Sequence, residues 1–294
     1  MRTDSLRTAA KILSARLPAG DLSDSISTDL RFEDHELRLD RGQLCVIAGR
    51  PSMGISALAS QIALHTSIHG KLPTLYFSFR LSADQLMTRL VATVAKIDHV
   101  SLLRGNADDE ELARCTSAEK VLRRAPLYIE DTPAISLKAI RRQVDKVDSA
   151  HSCQYGNSFG VIVVDDLQGI APLYDPKTPE KTYRRVVSGL REIAQDYRAP
   201  VVLLSRLTRR LERRKDKRPR LSDLPSPIIP QLADHVLALH REEYYAPESA
   251  PPHQADLYVL RNRRINGFQV HGWPLTFLGS QLRFESRPNQ RDVS

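Results

Sequence analysis

The sequence has few cysteines and no long hydrophobic run. Its 294 residues contain three cysteines, Cys45, Cys115 and Cys153, whose spacing excludes a disulfide framework and disfavours a zinc site made of cysteines alone. The longest apolar runs, such as 161–164 and 201–204, are far shorter than the ~20 residues that a membrane-spanning helix needs. No apolar segment typical of a secretion signal follows Met1. We therefore expect a cytoplasmic protein without a membrane partner.

Acidic residues are outnumbered by basic ones. The chain has 43 Lys and Arg against 35 Asp and Glu, a net charge of +8, which favours a polyanionic partner without identifying it. The hydrophobic fraction of 41% and the charged fraction of 27% are ordinary for globular proteins and exclude wholesale disorder. His151, His240, His253 and His271 lack the spacing of a metal site, and we interpret them as surface or packing residues.

Short apolar segments alternate with helical patterns along most of the chain. Strands are predicted at 44–48, 74–78, 127–130, 161–165, 201–205, 235–240 and 256–260, and helices at 57–69, 82–97, 108–124 and 136–150. This alternation predicts an α/β fold, with a mostly parallel sheet covered by helices on both faces. Closely spaced prolines predict loops at 172–181 and 217–231, because proline cannot continue a central strand or a helix.

The boundaries of the main domain follow from composition. We place the α/β domain at 42–285, preceded by an amphipathic helix at 1–20 and a polar, acidic connector at 21–41. The polar residues 286–294 predict a flexible tail.

A loop containing two glycines lies between the first of these strands and the following helix. The loop and the start of the helix comprise Gly49, Arg50, Pro51, Ser52, Met53, Gly54, Ile55 and Ser56. This is the setting of a phosphate-binding loop, in which backbone N–H groups and a helix N-terminus hold phosphates. Ser56 stands where a hydroxyl holds Mg²⁺, but Ile55 occupies the place of the lysine that reaches the β- and γ-phosphates. An alternative is a strand–turn–helix that has kept only the shape.

Asp165 follows the apolar run 161–164 and is suited to the Walker B role of holding Mg²⁺ through water. An aspartate after a buried strand is also a common cap of a turn or helix.

Residues 209–220 hold eight cations against two carboxylates. The cations are Arg209, Arg210, Arg213, Arg214, Lys215, Lys217, Arg218 and Arg220, and we call residues 209–220 the basic segment. It is a candidate contact for a nucleic-acid backbone, although a solvated surface is the alternative. No aromatic residue stands among these cations, so base stacking is not predicted.

Several motifs, in order along the chain, resemble the motor domain of DnaB-type replicative DNA helicases. They are Arg-Pro-Ser-Met-Gly at 50–54, Phe-Ser-Phe-Arg-Leu at 77–81, Asp-Asp-Leu-Gln at 165–168, Pro-Val-Val-Leu-Leu-Ser-Arg-Leu at 200–207, Lys-Arg-Pro at 217–219, Ser-Asp-Leu at 222–224 and Arg-Asn-Arg at 261–263. The resemblance covers about residues 40–285. It implies a RecA-like phosphate-loop NTPase fold, binding of ATP, Mg²⁺ and DNA, and a hexamer-like ring.

The resemblance also assigns roles outside the loop. Arg263 matches an arginine finger that acts on the nucleotide of the adjacent subunit, and Arg261 matches its lysine neighbour. An exposed basic face on an edge strand is the alternative for both. Residues 1–20 stand where the family has a linker helix that packs on the neighbouring subunit, and a helix folded on its own domain is the alternative.

The departures from the family pattern fall on catalytic positions. Besides Ile55, Arg80 stands at the position of the glutamate that activates water, and Arg206 replaces the glutamine that senses the γ-phosphate. Asp166 replaces a tyrosine, and residues 225–228 read Pro-Ser-Pro-Ile where the family's DNA loop has Arg-Glu-Ser-Gly. At none of these catalytic positions does the chain carry the residue of the family pattern.

We therefore expect a DnaB-like protein of DNA replication with impaired or lost ATP hydrolysis. Its expected partners are single-stranded DNA or another nucleic acid, and either a ring of this chain or a true DnaB-type helicase. ATP and Mg²⁺ are expected cofactors if nucleotide binding survives. One alternative is an active ATP-dependent DNA helicase that uses an arginine in place of the loop lysine. Another is a different RecA-like ATPase, which the Lys-Arg-Pro and Ser-Asp-Leu motifs disfavour.

Overall fold

The computed structural model describes residues 24–32, 35–155, 159–170, 179–263 and 270–287. The predicted helix at 1–20, the tail from residue 288 and most of the predicted loop at 172–181 lie outside the described residues. No helix among the described residues is long and apolar enough to cross a membrane.

Eleven strands and seven α-helices are described. The strands are β1 (Ser25–Phe32), β2 (His35–Asp40), β3 (Leu44–Gly49), β4 (Thr74–Ser78), β5 (Leu127–Glu130), β6 (Ile162–Asp165), β7 (Val201–Arg206), β8 (His235–His240), β9 (Gln254–Asn262), β10 (Val270–Leu278) and β11 (Arg283–Ser286). The helices are α1 (Ile55–Leu64), α2 (Ala83–Ala95), α3 (His99–Arg104), α4 (Asp109–Arg124), α5 (Leu137–Tyr155), α6 (Pro179–Asp196) and α7 (Ile228–Leu232). A π-helical turn, His65–His69, continues α1.

Nine of these strands form one sheet in the order β11-β10-β9-β8-β3-β7-β6-β4-β5. The six strands from β8 to β5 in this order are parallel, and β9, β10 and β11 extend the sheet antiparallel beyond β8. The predicted α/β fold with a mostly parallel sheet is therefore confirmed. Because parallel strands end at one edge, the loops after β3, β6, β7 and β8 share that edge.

The core lies on both faces of the sheet. Along β3, Val46 packs in one apolar cluster with residues of α6, whereas Ile47 packs in a second cluster with residues of α1. This alternation follows from the two-residue period of a strand. Burial on both faces explains why these strands are continuous apolar runs in the sequence.

The segment 21–41, predicted as a connector, contains the antiparallel hairpin of β1 and β2, which corrects that prediction. Ile26, Leu30 and Leu39 of this hairpin are buried in the same cluster as α1. Thr28 occupies an inward position between Ile26 and Leu30 and is fully buried. The hydrophobic alternation of β1 is therefore too short to be recognised in the sequence.

The predicted loop at 217–231 contains the start of α7, which includes Pro230. Proline is tolerated in the first turn because its missing N–H would have no partner within the helix.

Candidate functional site

The glycine-containing loop connects β3 to α1 at the carboxyl edge of the sheet. Gly54 caps α1 with φ of 97°, a left-handed conformation that favours glycine. A Cβ atom at Gly54 would also lie 2.9 Å from Cζ of Phe284, which stacks on Phe277. Pro51 and Ser52 are exposed, whereas Met53 is buried. The loop therefore leads from a buried strand into the N-terminus of a helix, which is the setting of a phosphate site.

Ile55 supplies apolar packing where the lysine is expected. Its Cγ2 atom lies so close to Gly49 that a Cβ there would be 2.6 Å away. Ile55 also packs against the apolar cluster on the α1 face of the sheet. This position therefore contributes no charge to the loop.

Ser56 and Asp165, the two predicted Mg²⁺ ligands, lie together. The Asp165 carboxylate accepts a hydrogen bond from the Tyr76 hydroxyl at 2.9 Å, and the Ser56 hydroxyl lies close enough to act on the same carboxylate. Burial raises the pKa of Asp165, while the hydroxyls of Ser56 and Tyr76 and the charge of Arg80 oppose that shift. Burial also raises the pKa of Tyr76 well above its ordinary value. Tyr76 was not predicted as a site residue, and its one signal in the sequence is its place on a strand, β4, that pairs with β6.

Two of the departures from the family pattern form an ion pair with each other. The Nε and Nη2 atoms of Arg206 each lie 2.8 Å from Oδ2 of Asp166. The Asp166 side chain is 3% exposed and that of Arg206 is 38% exposed. The Oδ1 atom of Asp166 is buried and has no hydrogen-bond partner among the described residues. The charge of Arg206 is therefore already balanced within the chain.

Two further arginines lie at the loop. Arg50 donates to Glu212 in the basic segment and to the carbonyl of Leu207. Arg241, which was not predicted as a site residue, donates to the carbonyl of Ser52 at 3.0 Å, and its guanidinium lies 4.5 Å from the centre of the Phe277 ring. Its one signal in the sequence is its position directly after β8, which ends beside β3.

The basic segment is held in place by some of its own cations. Arg214 binds the two carboxylate oxygens of Asp223 at 2.7 and 2.9 Å, and the Asp223 side chain is 2% exposed. Lys217 donates to the carbonyl of Glu212, and Arg220 pairs with Asp216 at 3.4 Å. Among the described residues, the exposed cations of the segment whose side chains form no ion pair or hydrogen bond are Arg209, Arg210, Arg213, Lys215 and Arg218. These five are free to meet a polyanion.

Arg261 and Arg263 lie at the opposite edge of the sheet. Arg263 donates to Oδ1 of Asp234 at 2.9 Å, where β8 begins, and β9 runs antiparallel to β8. His235, at the start of β8, pairs with Cys45 of β3. Gly49, at the start of the loop, lies four residues further along β3, which corresponds to roughly 13 Å between the two ends of the strand. The structure therefore does not bring these two arginines to the loop of their own chain.

The fold and the loop together define a RecA-like α/β domain of the phosphate-loop type. The family model of the DnaB-like helicase C terminal domain matches residues 26–286, and the chain belongs to this family. The resemblance seen in the sequence is thereby confirmed.

The individual relatives agree with this family. The chain is 35% identical over 238 residues to the replicative DNA helicase DnaB of Rickettsia typhi, covering 77% of this chain and 47% of that protein. It is 36% identical over 241 residues to a probable replicative DNA helicase of Trieres chinensis, covering 78% and 51%. A solved DnaB-like replicative helicase, studied with its interactions with primase, is similar with a TM-score of 0.74 and 25% identity, covering 83% of this chain and 57% of that chain. The chain thus spans about half the length of the curated relatives it matches.

Proposed function

We propose that this chain is a DnaB-like protein of DNA replication that binds single-stranded DNA, or a DnaB-type helicase, and hydrolyses ATP poorly or not at all. The family and its replicative relatives support the place in DNA replication. The geometry around the phosphate loop supports the loss of turnover.

The observation that carries the proposal is that, among the described residues, no cation of the loop or of the γ-phosphate-sensor position is unpaired. Ile55 is apolar, whereas Arg50, Arg206 and Arg241 are each paired with a carboxylate, those of Glu212, Asp166 and Glu243. Phosphoryl transfer depends on cations that bind the β- and γ-phosphates and stabilise the charge of the transition state. With these charges absent or occupied, both ATP binding and hydrolysis are expected to be weak.

The acid–base chemistry is also affected. Arg80 stands at the position of the base, and a guanidinium cannot accept a proton from water at neutral pH. Ser56 and Asp165 are neighbours whose side chains interact, so any ATP that binds would bring its metal to this pair. Arg80 is also the candidate for the alternative function, an active helicase, because its charge acts on Asp165 and its side chain is exposed.

The position of Arg261 and Arg263 supports an assembled state. Both lie at the edge of the sheet opposite the loop of their own chain, so they would act on the site of a neighbouring subunit. That neighbour is another copy of this chain or a DnaB-type helicase in a mixed ring.

The DNA-binding part of the proposal predicts a specific loss. The double substitution of the exposed Arg210 and Arg213 by glutamine is expected to weaken binding of a labelled thymidine oligonucleotide. It should also make the fall of log affinity with log salt concentration less steep by about 1.4, or ~0.7 per lost phosphate contact. Fluorescence anisotropy at several salt concentrations measures both quantities. The matched control replaces the exposed Lys138 and Lys146 of α5 with glutamine, and its slope should stay within about 0.3 of the wild-type value.

An equal loss in both double variants would mean that net charge alone attracts the DNA. Unchanged binding in the variant of Arg210 and Arg213 would remove the basic segment from the proposed interface.

A further inference from the structure

Arg50, the second residue of the phosphate loop, is bound to a carboxylate of the basic segment. Its Nε and Nη2 atoms lie 2.9 and 2.5 Å from Oε1 of Glu212, and its Nη1 atom lies 2.7 Å from the carbonyl oxygen of Leu207. The Arg50 side chain is 12% exposed. Three of its five N–H donors thus point to acceptors within the chain.

Glu212 lies among the cations of the basic segment, but its ion partner lies outside that segment. Among the described residues, its carboxylate forms an ion pair with Arg50 and with no cation of 209–220. Lys217 donates instead to the backbone carbonyl of Glu212. Because the Glu212 side chain is 42% exposed, its carboxylate can leave Arg50 and become hydrated without being buried unpaired.

We propose that Glu212 is an internal anion that takes the place of phosphate on Arg50, so that a phosphate group in the loop competes with Glu212 for the same guanidinium. Carboxylate and phosphate both bind the planar fork of arginine, so one can replace the other. The inference rests on the proposed function, because it explains why Arg50 in the phosphate loop of that site is not free to bind phosphate.

The same pair acts on the basic segment. While Arg50 holds Glu212, the negative charge of Glu212 is balanced and the exposed cations alone face a polyanion. Loss of Arg50 leaves Glu212 as an unpaired acid among those cations, which lowers the affinity for a polyanion. Arg50 lies in the phosphate loop and not in the basic segment. Its removal should therefore weaken DNA binding through the unpaired charge of Glu212, and not through the loss of a contact between Arg50 and DNA.

Calorimetric binding of inorganic tripolyphosphate at low salt tests the competition on the full chain. Glu212→Gln is expected to raise the affinity about tenfold, within the usual range of coupling between sites. Arg50→Gln should then cost about tenfold in the Glu212→Gln background and less than about twofold in the wild-type background, where Glu212 already occupies Arg50. Glu192→Gln removes the same charge from an exposed position on α6 and should change the affinity less than twofold.

Equal effects of Arg50→Gln in the two backgrounds would overturn the proposal, as would a gain in Glu212→Gln that persists in the double variant. Absence of binding in every variant would also overturn it. DNA binding gives a second readout: Arg50→Gln should weaken oligonucleotide binding about threefold, and adding Glu212→Gln should restore it. Failure to restore it counts against the proposal. The tripolyphosphate assay measures neither ATP turnover nor DNA binding, so failure of the proposed function would be seen separately from failure of this competition.

Discussion

Replacing Asp223 with alanine is expected to lower the free energy of unfolding by about 3 kcal/mol, the cost of breaking a buried ion pair from one side. Asp223 holds Arg214 through two hydrogen bonds and accepts a third from the backbone N–H of Arg220. Its own backbone carbonyl accepts a hydrogen bond from the N–H of Thr208, the residue directly before the basic segment. Loss of the carboxylate leaves the half-buried guanidinium of Arg214 without its ion partner. Urea denaturation followed by circular dichroism measures the change.

The matched control for this substitution is Asp216→Ala in the same segment. Asp216 is exposed and pairs with Arg220 at 3.4 Å, so its loss should cost about 1 kcal/mol or less. Similar losses in the two variants would show that Asp223 does not anchor the basic segment. The Asp223 variant should also bind single-stranded DNA less tightly, because its exposed arginines are no longer held in one arrangement.

Ile55→Lys is expected to raise the affinity for Mg²⁺-ATP at least about tenfold, or ~1.4 kcal/mol, because it places a cation where the loop has none. Isothermal titration calorimetry measures the affinity. Ile55→Met keeps the apolar character and similar volume, and should leave the affinity within about twofold of wild type. Hydrolysis should stay low in the lysine variant, because Arg80 and Arg206 still occupy the positions of the base and the sensor.

An equal gain with methionine would mean that packing at Ile55, rather than missing charge, limits binding. No gain with lysine would mean that the loop cannot hold phosphates even when the charge is restored.

Much of the sheet could be predicted because its parallel strands are buried on both faces. Continuous apolar runs mark β3, β6 and β7 in the sequence, whereas β10 contains Gly272 and Pro274 and gives no comparable signal. The prolines before α6 predict a loop, and the helix begins directly at Pro179. Proline at that position costs the helix no hydrogen bond, so a proline-rich segment and a helix can adjoin without conflict.

The site could be predicted only in part, for a different reason. Shared strand ends bring Ser56 and Asp165 together, and this follows from the order of elements alone. The pairing of Arg206 with Asp166 joins positions 40 residues apart, and that of Arg50 with Glu212 joins positions 162 apart. Such pairs depend on side-chain rotamers and on the course of a 3₁₀ segment after β7, which no local pattern encodes.

Single-turnover hydrolysis of Mg²⁺-ATP is the decisive experiment for the proposed loss of turnover. The wild-type chain, in excess over ATP and saturated with single-stranded DNA, should release no more phosphate than a protein-free sample, because the lysine and sensor positions offer no free cation and Arg80 replaces the base. DNA-stimulated phosphate release that Ser56→Ala abolishes would contradict this account, since the activity would then belong to this site.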